Sequence, residues 1–137
     1  MTRELRVPAT PASLDDVLDL VQELWTCLGE VAGPDRIRFE TAVAEVAGNI
    51  LEHSRAAAGS DGVTVSVRAA ADENRLWATL VDDGQALDVD LDAARMPGPD
   101  AEDGRGLALA RSLSDTLTYE RSATANCWTV VCRRRDI

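Results

Sequence analysis

The sequence predicts an α+β domain: a two-layer sandwich with a mixed, mostly antiparallel sheet and its helices segregated on one face. Hydrophobic periodicity runs in the order strand, helix, helix, two strands, irregular segment, helix, two strands. The length of 137 residues fits one domain, 1–137, and 45% of the residues are apolar. A chain of this size buries roughly two-thirds of its unfolded surface without a disulfide or structural metal. Aromatic residues are only 4% of the chain, so the core is expected to be mostly Leu, Val and Ala.

Residues 4–8, ELRVP, read as a short first strand closed by proline. Ser13, three residues before Asp16, resembles a capping box. Leu14, Val17, Leu18, Val21, Leu24, Trp25 and Leu28 then recur at helical spacing, and Gly29 stands where a C-cap belongs. Gly33 and Pro34 read as a turn, and Asp35 as the cap of a second helix reaching His53. Phe39, Val43, Val46, Ala47 and Ile50 form its apolar stripe. Val63, Val65 and Val67 alternate with polar residues, as in a strand with one face buried. Residues 76–81 form the next strand and run directly into Asp82-Asp83-Gly84. Residues 85–103 hold Pro97, Gly98, Pro99 and five aspartates with little periodicity, the composition of a functional loop such as a lid. A helix opening at Gly104-Arg105-Gly106 and ending near Leu113 leads to strands at 116–121 and 127–133, joined by a hairpin around 122–126.

The charge balance is 24 acidic against 14 basic residues, net -10, and every basic residue is Arg. Such a chain repels nucleic acid and anionic membranes at long range, so no direct nucleic-acid or membrane partner is expected. The run Arg133-Arg134-Arg135 reads as a solvated tail. Cys27, Cys127 and Cys132 contain no CxxC pair, and His53 is the lone histidine, so metal-site spacing is absent. Buried or half-buried thiols and a soluble, cytoplasmic protein are the expectations. The N-terminus has no apolar h-region.

Three short patterns carry chemistry. Glu45 and Asn49 are one helical turn apart, hence on one face: a carboxylate able to take a proton, and an amide oxygen able to ligate magnesium. A solvated polar face would present the same spacing. Asp82 at a strand end can accept a hydrogen bond from an exocyclic amine, and Gly84 lets backbone approach a flat ring; the bland alternative is an ordinary Asp-Gly turn. Gly104, Arg105 and Gly106 before a helix offer free N–H groups to a phosphate, or simply a hinge. The last pattern is neither a Walker A loop, which needs a Lys, nor a Rossmann fingerprint, which needs a preceding strand and a third Gly. His53 falls one turn beyond Asn49, at a helix end.

These patterns, in this order, resemble the boxes of the GHKL ATPase superfamily, and within it the serine-protein kinase anti-sigma factor family. The first box, Glu-x-x-x-Asn-x-x-x-His, matches Glu45 to His53. The second, Asp-x-Gly-x-Gly, matches Asp82 to Ala86, with alanine in place of the last glycine. The third, Gly-x-Gly-x-Gly, matches Gly104 to Ala108 with the same replacement, and Asp115 follows downstream. Alanine suits helix continuation at 108 but would be strained at 86 if that position needed positive φ. The family's final strand often opens with Gly-Thr, where this chain has Asn126-Cys127.

The resemblance implies the Bergerat-type fold, ATP and Mg2+ as cofactors, and residues 85–103 as the ATP lid. It implies Glu45 as general base, Asn49 as the magnesium ligand, Asp82 and Gly84 as the adenine site, and Gly104, Arg105 and Gly106 over the phosphates, with His53 beside them. It further implies a serine/threonine-protein kinase acting on an anti-sigma-factor antagonist, sequestration of a sigma factor, and a homodimer. A sensor histidine kinase domain, a non-catalytic sequestering protein and an ATP hydrolase are the competing readings.

Overall fold

The computed structural model describes residues 1–57, 59–87 and 105–135. Five strands, β1 (Thr2–Pro8), β2 (Thr64–Ala71), β3 (Arg75–Asp82), β4 (Thr116–Arg121) and β5 (Asn126–Arg133), form one sheet of order β1-β2-β3-β5-β4. Every neighbouring pair among these strands is antiparallel, so the mixed component of the sequence expectation is not needed. Three helices, α1 (Ser13–Cys27), α2 (Gly33–His53) and α3 (Arg105–Leu113), complete the described elements.

Alternation, broken only where Ala69, Ala70 and Ala71 are all buried, decides which sheet face is covered. Val65, Val67 and Ala69 of β2, Leu76, Ala78 and Leu80 of β3, and Trp128, Val130 and Cys132 of β5 are buried, while their neighbours Ser66, Arg68, Arg75 and Arg133 are exposed. The buried set meets Val17, Val21 and Leu24 of α1 and Phe39, Val43, Val46 and Ile50 of α2 in one core. Each of these larger side chains contributes about 1.5–3 kcal/mol by leaving water. The core is Leu, Val and Ala with only Phe39, Trp25 and Trp128 as buried aromatics, as composition implied.

Several local expectations are corrected. Ser13 does not cap α1; its hydroxyl donates to the Pro8 carbonyl at 2.6 Å and so ties the helix start to the end of β1. Gly33 and Pro34 are the first residues of α2 rather than a separate turn, since Pro has no N–H to lose there. Asp35 therefore lies inside α2, 2% exposed, and is not its cap. Gly29 is not in a left-handed C-cap, because Gly59, φ 81°, alone has positive φ among the described residues. Among the thiols, Cys132 is buried and its pKa is pushed up to about 11 by that burial. Cys27 is exposed instead, and a hydrogen bond from the Arg3 guanidinium holds its thiol below the usual range.

At one end of the sheet, three helical and strand termini are joined by ions. Asp35 Oδ1 accepts from Arg38 Nη2 at 3.1 Å, and Oδ2 accepts from the Arg135 N–H at 2.9 Å. Arg38 also donates to the carbonyls of Leu113 and Arg133, at 2.9 and 2.7 Å. Asp115 accepts from the Arg133 N–H at 2.5 Å and from Arg135 Nη2 at 3.3 Å. The start of α2, the end of α3 and the end of β5 are thus fixed to one another, which sets how α3 lies on α2.

Candidate nucleotide site

The opposite end of the β3–β5 pair holds Asp82 and Gly84, two of the residues that the sequence singled out. Register places Asp82 against Asn126 there, as Arg75 stands against Arg133 at the closed end. Seven strand steps separate the two ends, about 23 Å.

Asp82 ends β3 on the covered face and is 1% exposed. Its Oδ1 accepts from the Gly84 N–H at 3.0 Å and from Asn126 Nδ2 at 2.9 Å. Its Oδ2 is buried and has no partner among the described residues. A buried carboxylate oxygen left without a donor costs about 1–3 kcal/mol or more. The position suits a ligand that brings one.

Gly84 is glycine for space. A Cβ there would lie 2.9 Å from the Arg55 carbonyl oxygen and 3.0 Å from Asp82 Oδ1. Neither atom can retreat easily, since the Arg55 carbonyl accepts from the Gln85 N–H at 2.8 Å. The chain just past α2 is in this way pressed against the end of β3. Ala86 is exposed and has no positive φ, so alanine is unstrained at that position.

Glu45 and Asn49 are both half-buried on α2, one turn apart. The Glu45 carboxylate reaches the first turn of α3: a Cβ on Gly106 would lie 2.5 Å from Glu45 Oε2. A side chain at 106 would push the carboxylate aside. The carboxylate therefore sits at the helix end where the macrodipole favours negative charge. The first and third patterns meet at this contact, between Glu45 and Gly106, 61 positions apart. Ala108 is 4% exposed within α3 and continues the helix.

His53 is exposed at the end of α2, with Nε2 3.8 Å from the Glu52 carboxylate. No described contact joins it to Glu45, Asn49 or Asp82. Gly104 and the Arg105 side chain lie outside the described residues, as do residues 88–103 of the expected lid. No group of three or more acidic, histidine or cysteine side chains that could hold a metal occurs among the described residues. Surface hollows are also present among the described residues. One of about 590 Å³ is on the open sheet face between Arg6, Arg68 and Val81, and one of about 280 Å³ is between Pro11 and Leu51.

Three participants were given no role in the sequence reading, although Asn126 was noted as a departure from the family's Gly-Thr. Asn126 is fully buried and donates to Gln85 O at 2.9 Å besides Asp82. Tyr119 of β4 donates its hydroxyl to Asn126 Oδ1 and accepts the Leu87 N–H at 3.1 Å. Arg121 Nη1 donates to the Gly84 carbonyl at 2.7 Å. One signal existed: asparagine is depleted in strands, so Asn126 opening an otherwise apolar strand marks a polar duty.

The family of such a site is defined by its fold and boxes together. Residues 7–132 match the model of the histidine kinase-like ATPase domain, and the chain belongs to that family. The structure of the RsbU and RsbW domains of Rv1364c from Mycobacterium tuberculosis is similar over 98% of this chain, with a TM-score of 0.68 and 21% identity; the match spans 32% of that chain. The histidine kinase domain of the Erythrobacter litoralis EL346 blue-light activated histidine kinase matches 92% of this chain and 61% of its own, at TM-score 0.56 and 18% identity. The catalytic domain of the histidine kinase ThkA matches 98% of this chain and 96% of its own, at TM-score 0.57 and 12% identity. These are likenesses of fold. No curated protein sequence matches the chain. No helix among the described residues is long and apolar enough to cross a membrane.

Proposed function

We propose that this chain binds ATP with Mg2+ and acts as a serine/threonine-protein kinase and anti-sigma factor, phosphorylating a small antagonist protein and sequestering a sigma factor. The observation that carries the nucleotide part is Asp82 Oδ2, a buried acceptor without a donor beside a glycine that admits no side chain. The 6-amino group of adenine is such a donor. Asp82 and Gly84 would hold the base. Gly104, Arg105 and Gly106, at the start of α3, would meet the phosphates, and residues 85–103 would form the lid. Asn49 would complete a magnesium shell made largely of phosphate oxygens. Bound magnesium would supply charge neutralisation along the phosphates.

Glu45 is the residue that would take the proton of an attacking hydroxyl. Its carboxylate lies beside Gly106, hence next to the helix end that would receive phosphate. A neutral serine or threonine hydroxyl needs such a base close to the phosphoryl group. Choosing a protein hydroxyl over histidine or water rests on the sequence boxes and on fold analogy with the RsbW domain. The added phosphate would drive the antagonist away by charge and desolvation at the interface. A homodimer and His53 beside the phosphates belong to the same reading.

The test is calorimetric titration with ATP, with and without Mg2+, followed by transfer of labelled phosphate to a candidate antagonist. Magnesium-dependent binding near micromolar, about -8 kcal/mol, is expected. Glu45→Ala should lower transfer by about 10²–10⁴-fold and leave ATP binding nearly unchanged. Binding without transfer to any serine or threonine would instead mark a non-catalytic sequestering protein. Transfer to a histidine would mark a sensor-kinase domain.

A further inference from the structure

Asn126 and Tyr119 are not used by the reading above, and they form a continuous polar chain at this end of the sheet. A carboxylate has two equivalent oxygens, and rotation about Cβ–Cγ exchanges them. Here Oδ1 is held by two donors, the Gly84 N–H at 3.0 Å and Asn126 Nδ2 at 2.9 Å. Asn126 cannot turn its amide over, because Nδ2 also serves the Gln85 carbonyl at 2.9 Å and Oδ1 receives the Tyr119 hydroxyl. Tyr119 in turn cannot reverse its hydroxyl, because its oxygen accepts the Leu87 N–H at 3.1 Å. Every proton in the chain points one way, from Leu87 through Tyr119 to Asn126, and the Asn126 amide then donates onward to Asp82. The result is one free oxygen, Oδ2, fixed as a pure acceptor.

We propose that Asn126 and Tyr119 are positioning residues that set the purine specificity of this site, by holding Asp82 so that only a base with an amino group at its 6-position is matched. The proposal rests on the nucleotide reading given above. A 6-oxo purine would place a carbonyl against Oδ2, acceptor against acceptor, and the Asn126 amide is not free to turn and compensate. Arg121 supports the same geometry from β4 through its 2.7 Å bond to the Gly84 carbonyl. The hairpin of β4 and β5 thus reads the base indirectly, and it does so from the strand pair that the three boxes leave out.

The experiment compares ATP with inosine triphosphate by titration calorimetry, on the unaltered chain and on Asn126→Ala and Tyr119→Phe. The unaltered chain should favour ATP. Asn126→Ala should weaken ATP about tenfold and inosine triphosphate little, so the preference shrinks by a similar factor. Tyr119→Phe keeps the ring against Trp128, 4.8 Å between centroids, and should reduce the preference about threefold. A residue that only supports the fold would weaken both nucleotides alike. An unchanged ratio in a folded variant that still binds ATP therefore overturns the proposal. Should Asn126→Ala not fold, the ratio in Tyr119→Phe decides. If the unaltered chain binds neither nucleotide, the nucleotide reading itself fails and this one falls with it; if it binds ATP, the two are judged separately.

Discussion

The two ends of the β3–β5 pair each bury one carboxylate, Asp35 and Asp82, and they treat it differently. At the end formed by Asp35, Arg38 and Asp115, each carboxylate oxygen has a donor. At the other, Asp82 keeps one oxygen without any, although it is as deeply buried as Asp35. A closed cluster has nothing to offer a ligand; it locks chain segments together. An open one retains an unmet hydrogen bond at a cost to the free protein, and that unmet bond is available to bind. Burial alone would have ranked Asp35 and Asp82 together. The count of partners separates them.

The contrast predicts opposite outcomes for substitution. Arg38→Ala should destabilise the fold by about 3–5 kcal/mol, because it removes the charged partner of the buried Asp35 carboxylate and one donor each from the Leu113 and Arg133 carbonyls. Urea unfolding measures this, and a loss below about 1 kcal/mol would erase the distinction between the clusters. Asp82→Asn should do the reverse. It keeps the oxygen that Gly84 and Asn126 bind and replaces only the orphaned one, so stability should stay within about 1 kcal/mol. ATP affinity should fall by about 10–100-fold, since an amide donor would then face the amino group. Undiminished affinity would remove Asp82 from the site.

The smallest effect concerns acid. The Arg133 N–H, then the Arg135 and Arg38 guanidinium groups, hold the Asp115 carboxyl below its ordinary value of 3.8. A depressed folded pKa means that the unfolded chain takes up the proton first. Its stabilisation is therefore fully present above the ordinary value and is lost as pH falls through the folded one. Asp115→Asn should cost about 1 kcal/mol at neutral pH and flatten the decline of stability below pH about 4. Melting curves across that range check it; an unchanged acid slope would assign the decline to other carboxylates.

Much of the fold was legible because it follows from local period. Helical spacing over residues 14–28 and 35–53, and alternation over 63–67 and 76–81, gave elements within a few residues of α1, α2, β2 and β3. The candidate site was legible in part: Glu45, Asn49, Asp82, Gly84 and Gly106 stood out by type and spacing. Cap assignments failed where tertiary contacts overrode a local motif. Ser13 was drawn to the Pro8 carbonyl and Asp35 to Arg38 and Arg135.

By itself the sequence determined the order of elements, the buried face of each, and the three boxes that mark a histidine kinase-like ATPase domain. Those depend on spacings of two, three and four residues, which the chain carries in any context. The tertiary structure alone decided which polar groups are satisfied. Asn126 meets Asp82 across 44 residues, Arg38 meets Arg133 across 95, and Gly106 meets Glu45 through helix packing. Such pairs depend on strand register, in which a slip of one residue would turn every side chain to the other face. No local spacing encodes that register, and the orphaned Asp82 oxygen appears only when it is set.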